Sequence, residues 1–364
     1  MSGLDGLSAH RWPPNLGAGT HRAVINAIAS RTWTGGRYTR AVETAMCELT
    51  GARYAVAFQS CTAAIHAALL AHGARRGTPL HTPAFGFAGT LTGASHIGAR
   101  LIYHDVDPDT GNSVDPLAAP GQLVLTPDLH GVPHTLPRQD VITDACQSLG
   151  TLVDGRHVGA SSGTHCWSFS ATKLVSAPDG GAVTTDDGGL AEELQQLRDY
   201  GADLSGHSRA NALITLPGHN WRPSELSMAI VAEQLHTLPQ VAERARENGR
   251  RLQGTLAECG LWHQRTPDGV EPAFHKIRTG RSGRRSGLFR LALVDAGIPT
   301  HDWGQHPLPD HPVFPPHQAE PVPNAVALAV NTFCLGTETC PPWTWTSYET
   351  SLVCHTIELI MERL

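Results

Sequence analysis

Short apolar runs alternate with helical patterns along the first two thirds of the chain. Residues 54–58 form an apolar run that predicts a strand, and residues 63–72 carry apolar side chains at helical spacing before a glycine. Strand, turn and helix follow one another again over residues 80–98, and residues 100–106 predict the next strand. This βαβ rhythm predicts an α/β fold.

The same reasoning extends the element order toward the C-terminus. Residues 20–51 predict two helical stretches with a break at a glycine pair, and residues 226–256 predict a long helix that Pro239 kinks or splits. We place a domain boundary there, with a large domain over residues 1–238 and a smaller one over residues 239–364. Further short strands are expected at 123–125, 141–143, 166–169 and 182–185.

One lysine stands in an unusual position between an apolar strand and a glycine pair. Trp167 and Phe169 alternate with serines as in a strand, so Lys173 falls just past a strand end. Open α/β sheets place their chemistry at such ends. Most lysines are solvated surface cations, but a lysine held there can be desolvated and made nucleophilic.

A carboxylate upstream also follows an apolar run that predicts a strand. Residues 141–147 form an apolar run that ends in Asp144, which is therefore also expected at the carboxyl end of a strand. A lysine that can form a Schiff base, with an acid that can face a pyridinium nitrogen, is the minimal equipment of a pyridoxal phosphate (PLP) enzyme. Lys173 and Asp144 together therefore predict PLP as the cofactor.

Two strand-to-helix junctions carry further candidates. Free amides and the helix dipole after residues 59–61, with the hydroxyl of Thr62, would make a phosphate site. The alternative is that Thr62 is an ordinary N-cap, which is the favoured interpretation from this stretch alone. Phe87 at the next junction can stack on a cofactor ring, although an aromatic side chain there more often packs in the core.

The last third of the chain offers weaker patterns. The basic, glycine-spaced run over residues 276–290 predicts a solvated hairpin in preference to a site for a phosphorylated substrate. Four histidines in a proline-rich segment match no usual zinc spacing, so no metal site is predicted; they are His301, His306, His311 and His317.

Composition narrows the classes of partner. The 27 basic and 33 acidic residues give a net charge of −6, which favours neither nucleic acid nor an acidic membrane as a partner. No apolar run approaches the roughly eighteen residues of a membrane span, and residues 1–14 lack the pattern of a signal peptide. We therefore expect a cytoplasmic protein that binds neither nucleic acid nor a membrane.

Taken together, these segments resemble the DegT/DnrJ/StrS family of PLP-dependent sugar aminotransferases, which has fold type I. The resemblance covers residues 30–240 well and thins beyond residue 260. It implies a large domain with a mostly parallel, mixed seven-stranded sheet between helices and a smaller C-terminal α/β domain. Five segments carry it in order: 60–64, 82–87, 144–147, 168–173 with 180–181, and 220–225 with 234–235.

The resemblance also implies a role for each candidate residue. Lys173 would carry the cofactor as a Schiff base, Asp144 would pair with the pyridine nitrogen, and Gln147 would bond the ring hydroxyl oxygen. The remaining roles are phosphate binding by Thr62, Ala63 and Ser168, ring stacking by Phe87, and contact of Asn220 with the phosphate of the partner subunit's cofactor. For Asn220 the alternative is a cap on the helix that begins near Ser224 in its own subunit.

The implied protein is a homodimeric aminotransferase with shared active sites, which moves an amino group from glutamate or glutamine to a nucleotide-linked keto-sugar. The alternatives are a keto-cyclitol substrate, another carbanion reaction of PLP, or a regulatory or binding homologue without turnover. The family's sugar dehydratases replace the lysine, so Lys173 argues against that branch. Two departures from the family pattern are Cys61, where glycine is usual, and residues 126–131, in which the family's phosphate-side histidine and the aromatic residue after the fourth strand are replaced.

Overall fold

A computed structural model describes residues 4, 7, 11–14, 16–114, 118–134, 141–160, 163–203, 211–281, 283–317 and 320–364. The α-helices of this described part are α1 Ala18–Ala29, α2 Arg37–Thr50, α3 Cys61–Ala71, α4 Ala88–Ile97, α5 Gly188–Arg198, α6 Glu225–Leu235, α7 Leu238–Glu258, α8 Arg284–Asp295, α9 Pro323–Asn331 and α10 Ser347–Met361. Short 3-10 helices lie at Leu129–Gly131, Leu308–Asp310 and Pro342–Thr344.

The strands are short and fall into four sheets. Those of the first half are β1 Tyr54–Phe58, β2 Pro79–Pro83, β3 Arg100–His104, β4 Leu123–Pro127, β5 Val141–Asp144, β6 Leu152–Val153, β7 Arg156–His157, β8 Thr164–Ser168 and β9 Gly181–Thr185. Those that follow are β10 Ala202–Asp203, β11 Leu213–Ile214, β12 Trp262–His263, β13 Val270–Glu271, β14 Ile277–Gly280, β15 Thr300–His301 and β16 Thr332–Leu335.

The largest sheet has seven strands in the order β1-β9-β8-β5-β4-β2-β3. Strand β9 runs antiparallel to both its neighbours, β1 and β8, and the other pairings are parallel. The predicted α/β fold with a mostly parallel, mixed seven-stranded sheet is confirmed. Because β1, β5 and β8 run in the same direction, their carboxyl ends meet at one edge of the sheet, where β9 begins.

Both faces of this sheet are buried, because successive side chains of a strand point to opposite faces and apolar side chains stand on each of them. In β1, Val56 and Phe58 belong to an apolar core under α3, α4 and α5, while Ala57 belongs to a second core under α2, α6 and α7. In β8, Cys166 and Trp167 likewise point to opposite cores. Helices on both faces therefore fix the sheet, and its edge remains available for chemistry.

The C-terminal part has its own sheet and core. Strands β12-β14-β16-β15 pair antiparallel throughout, and a third apolar core joins β14 and β16 to α7, α8 and α10. The predicted solvated hairpin over residues 276–290 is wrong. Lys276 and Arg278 are buried beside and within β14, and α8 begins at Arg284.

Two of the predicted interruptions lie where the sequence placed them. The glycine pair Gly35 and Gly36 separates α1 from α2, and the long helical pattern is split into α6 and α7, with Pro239 in the first turn of α7. The division into domains at residues 238 and 239 stays a prediction. No helix in the described part of the chain is long and apolar enough to cross a membrane.

Glu225 at the start of α6 ties that helix to α2. Glu225 is only 2% exposed. Its carboxylate accepts hydrogen bonds from the backbone N–H groups of Gly36, Tyr38 and Thr39, each at 2.9 Å. Amides in a first helical turn have no partner inside the helix, and a negative charge there is favoured by the helix dipole. Glu225 thus caps α2 from a distant part of the chain.

We predict that Glu225→Gln lowers the free energy of unfolding by about 1.5–3 kcal/mol, because an amide replaces the charged acceptor of buried hydrogen bonds. Chemical denaturation followed by circular dichroism measures the change. Glu247→Gln, an exposed carboxylate on α7, is the matched control and should shift stability by about 0.5 kcal/mol or less. Equal stabilities of the two variants would contradict this role of Glu225.

Candidate active site

A cavity of about 260 Å³ opens at the edge where β1, β5 and β8 end. Its walls come from both the large sheet and the C-terminal part of the chain, because Lys173 and Asp144 lie there together with Lys276 and Trp303. Six of the eight predicted site residues line it: Thr62, Phe87, Asp144, Gln147, Ser168 and Lys173. The two others, Ala63 and Asn220, do not.

Lys173 sits in the connection between β8 and β9. Its backbone N–H donates to the carbonyl of Ser170 at 3.0 Å, and its carbonyl accepts from Nε1 of Trp12 at 2.9 Å. The ammonium group lies 3.8 Å from Sγ of Cys146. Burial, and next the charge of Asp144, raises the pKa of the Cys146 thiol. Lys173 therefore faces a neutral thiol instead of a carboxylate.

Asp144 ends β5 and is 3% exposed. One carboxylate oxygen accepts from the hydroxyl of Thr90 at 2.6 Å, and the other accepts from the backbone N–H of Cys146 at 3.2 Å. Both donors are neutral, and within the described residues no basic side chain pairs with this carboxylate. A buried charge without a counter-ion is costly, so Asp144 is suited to meet a cation that enters the cavity.

Gln147 is oriented by a histidine that the sequence analysis did not single out. The side-chain oxygen of Gln147 accepts from the backbone N–H of His130 at 2.8 Å and from its Nδ1 at 3.1 Å. Burial above all, and then the charges of Arg278 and Lys276, holds the pKa of His130 well below its usual range. With its oxygen thus engaged, Gln147 has its amide nitrogen left to donate to a ligand.

The turn from β1 into α3 shows which residue caps the helix. The N-cap is Ser60, whose hydroxyl oxygen accepts from the backbone N–H of Ala63 at 3.2 Å. The alternative that made Thr62 the N-cap is therefore wrong, and Thr62 is exposed in the first turn of α3 beside the cavity. Ser168 also lines the cavity, and its hydroxyl oxygen accepts a hydrogen bond from the backbone N–H of Ser170 at 3.3 Å.

A glycine pair allows this turn to lie against the start of β9. A Cβ atom on Gly181 would stand 2.5 Å from the backbone N of Cys61 and from the backbone C of Ser60, which is too close for any side chain. Cys61 occupies the first position of α3 and places its Sγ 4.0 Å from Asp144. The cysteine at the position where glycine is usual is thus accommodated, and the close approach depends on Gly181 instead.

The structure excludes the alternative interpretations of Phe87 and Asn220. Phe87 precedes α4 and is 54% exposed at the cavity, so it is not a core residue. Asn220 is exposed, and the cap of α6 is the hydroxyl of Ser224, which accepts from Leu226 N–H at 3.2 Å. The helix-cap alternative for Asn220 is therefore wrong. Asn220 does not line the cavity and pairs with Asp199 in an isolated bridge.

Residues 201–211 form a polar stretch that from its sequence is suited to line an entrance, and residues 204–210 of it lie outside the described residues. The C-terminal part supplies site residues that the sequence analysis missed: His275, Lys276, Trp303 and Glu338. For Lys276 a signal was present, because Lys173 and Lys276 are the only lysines among the 27 basic residues of the sequence. The other three carry no local pattern that marks them.

The fold is that of PLP-dependent aminotransferases. The chain belongs to the DegT/DnrJ/EryC1/StrS aminotransferase family, whose sequence profile matches residues 14–120 and 137–340. The resemblance seen in the sequence is thereby confirmed. The match extends well beyond residue 260, into the part that supplies Lys276 and Trp303.

Solved structures share the whole fold at low identity. DesV of S. venezuelae has a TM-score of 0.84 at 23% identity, with 95% of each chain covered. The structure of 3-amino-5-hydroxybenzoic acid synthase has a TM-score of 0.85 at 21% identity, with 97% of this chain and 98% of that chain covered. GDP-4-keto-6-deoxy-D-mannose-3-dehydratase of E. coli, solved with hydrated PLP, has a TM-score of 0.83 at 20% identity, with 95% and 98% covered.

Proposed function

We propose that the protein binds PLP through Lys173 and transfers an amino group from glutamate or glutamine to a keto-sugar, most simply a nucleotide-linked one. The observation that carries the proposal is the meeting of Lys173 and Asp144 in one cavity at the carboxyl edge of the sheet. Membership of a family of sugar aminotransferases supports the substrate class. A location in the cytoplasm stays a prediction from the sequence.

The residues of the cavity fit PLP. Asp144 is a buried carboxylate held only by neutral donors, which suits a protonated ring nitrogen. The amide nitrogen of Gln147 suits an oxygen acceptor such as the ring hydroxyl, because its carbonyl oxygen is already held by His130. Thr62 and Ser168 also line the cavity, where the first turn of α3 and its dipole favour a phosphate.

When bound, PLP supplies an aldehyde that takes up amines and a protonated ring that accepts an electron pair. In our proposal Asp144 keeps the ring nitrogen protonated, because the energy of its buried charge is lowest beside a cation. Nζ of Lys173 would act as the base that takes the proton from the donor's α-carbon and would then return that proton to the cofactor carbon. The thiol of Cys146, which stays neutral, lies 3.8 Å from this Nζ.

We further propose a homodimer in which each cavity is completed by the partner subunit. Asn220 is exposed and outside its own cavity, as a residue that serves another subunit would be. Large apolar side chains are also exposed near the start of the chain, at Ile25, Ile28 and Trp33. A two-fold interface that covers them would supply both shared sites by symmetry.

Lys173→Ala is expected to abolish turnover. Borohydride reduction of the wild-type protein should fix the cofactor on Lys173, located by peptide mass spectrometry. Only one other lysine, Lys276, can compete. Reduction onto Lys276, or normal transamination by Lys173→Ala, would show that the central assignment is wrong. A panel of nucleotide keto-sugars and keto-cyclitols, offered to the aminated enzyme, then separates the two substrate classes.

A second prediction tests sharing of the sites between subunits. Lys173→Ala and Asn220→Ala homodimers should each be weak, whereas heterodimers formed by subunit exchange should regain activity in one of their two sites. Mass spectrometry under native conditions gives the heterodimer fraction, to which the recovered activity is compared. If confirmed heterodimers are no more active than the parent variants, Asn220 does not act across the interface.

A further inference from the structure

Lys276 precedes β14 and lines the same cavity as Lys173, although it comes from the C-terminal part of the chain. The chain uses arginine for its other basic residues, so lysine is reserved for these two positions. Lys276 is only 7% exposed. A lysine buried to this extent is rare unless it has a partner.

The partner within the protein is a neutral histidine. Nδ1 of His301 lies 2.8 Å from the carbonyl oxygen of Gly336, so this nitrogen carries the proton and donates it. Nε2 of His301 is therefore the acceptor for the ammonium of Lys276, at 3.1 Å. Burial first, and then the charge of Lys276, lowers the pKa of His301 to about 4, which keeps the ring neutral.

Lys276 lacks an anionic partner among the described residues. No carboxylate there lies within ion-pairing distance of its ammonium, and Glu338, which lines the same cavity, is exposed. Burial above all lowers the pKa of Lys276; the neighbouring Cys334 opposes this, the charge of Lys173 lowers the pKa further, and Glu338 again opposes it. Such a desolvated cation gains most from an anion that binds beside it.

Arg278, two positions along, serves a different purpose. Its guanidinium donates to the backbone carbonyls of Trp303 and Leu328, the latter at 3.1 Å, and stacks over the ring of Phe85 at 4.9 Å. These bonds hold Trp303 in the cavity wall. Arg278 is thus occupied by the protein itself, and Lys276 is the cation that is left to a ligand.

We propose that Lys276 anchors the carboxylate of the amino-acid donor. An ammonium has three N–H donors; one is taken by His301, and the other two match the two oxygens of a carboxylate. An amino acid whose nitrogen reacts beside Lys173 carries its carboxylate one carbon away, within the same cavity of about 260 Å³. The diphosphate of a nucleotide sugar lies several bonds farther from the keto carbon.

This inference rests on the proposed function, which supplies the amino-acid donor. Carbon-13 labelling of lysine gives two Cε signals per subunit of the holoenzyme, because the chain has two lysines. The signal that disappears in Lys276→Met is that of Lys276. We expect it to shift saturably when glutarate, an unreactive dicarboxylate, is added, and its pKa to rise in the complex. By calorimetry, Lys276→Met should weaken glutarate binding by about 10- to 100-fold, and Lys276→Arg should retain most of it.

The proposal would be overturned if the chemical shift of the Lys276 Cε signal does not change on addition of glutarate. It would also be overturned if that shift changes only on addition of uridine diphosphate. The second outcome would assign the lysine to the acceptor. A purely structural role of Lys276 would weaken glutarate binding only together with loss of folding, so circular dichroism and bound-cofactor absorbance of each variant are recorded alongside.

Kinetics of the donor half-reaction give an independent check. L-glutamine and 4-aminobutanamide differ only by the α-carboxylate, and the ratio of their kcat/KM values should fall about 10- to 100-fold in Lys276→Met. An unchanged ratio would contradict the anchor. If wild-type holoenzyme reacts with neither glutamine nor glutamate, the proposed function fails instead, and the glutarate titration still decides the role of Lys276.

Discussion

The direction of three strands determines where this protein can do chemistry. Because β1, β5 and β8 run in parallel, the helix α3, the carboxylate of Asp144 and the loop that carries Lys173 all begin at the same edge. The antiparallel strand β9 starts between β1 and β8, and only glycine at position 181 lets it approach the turn before α3. The cavity depends on this close approach.

Charge is distributed unevenly around the cavity. The carboxylate of Asp144 and the ammonium of Lys276 are both buried, and each has only neutral hydrogen-bond partners among the described residues. Burial holds the pKa values of His130 and His275 well below their usual range, so these rings add no charge. The protein thus keeps one anion and one cation available, at the positions where our account puts the ring nitrogen and the donor carboxylate.

Local patterns in the sequence were sufficient for the alternation of strands and helices and for the positions of the two central residues, whereas the seven-stranded mixed sheet was implied by the family resemblance. Strand periodicity placed Asp144 and Lys173 at strand ends, and chain direction then brought them to one edge. The alternatives for Thr62 and Phe87 failed because the hydroxyl of Ser60 caps α3 and because α4 starts at the cavity rim. For Thr62 the deciding residue was Ser60, two positions earlier, and for Phe87 it was the start of α4 one position later, at the cavity.

The C-terminal wall could not be predicted in the same way. The prediction of a solvated hairpin at 276–290 assumed that the basic side chains need water around them. The guanidinium of Arg278 instead donates to the backbone carbonyls of residues 303 and 328. Such long-range partners leave no trace in local spacing. The scarcity of lysine was the one signal in the sequence that pointed to Lys276.

In the proposed reaction, the electron-accepting power of the bound cofactor depends on the buried carboxylate of Asp144, which has no cationic partner among the described residues. The most direct test is the rate of the donor half-reaction in Asp144→Asn, followed by the change in cofactor absorbance, with Asp179→Asn as the control because Asp179 lines the same cavity but is exposed. We expect a loss of about 100- to 1000-fold for Asp144→Asn and of less than about tenfold for the control. Near-normal rates in Asp144→Asn with the cofactor still bound would contradict it.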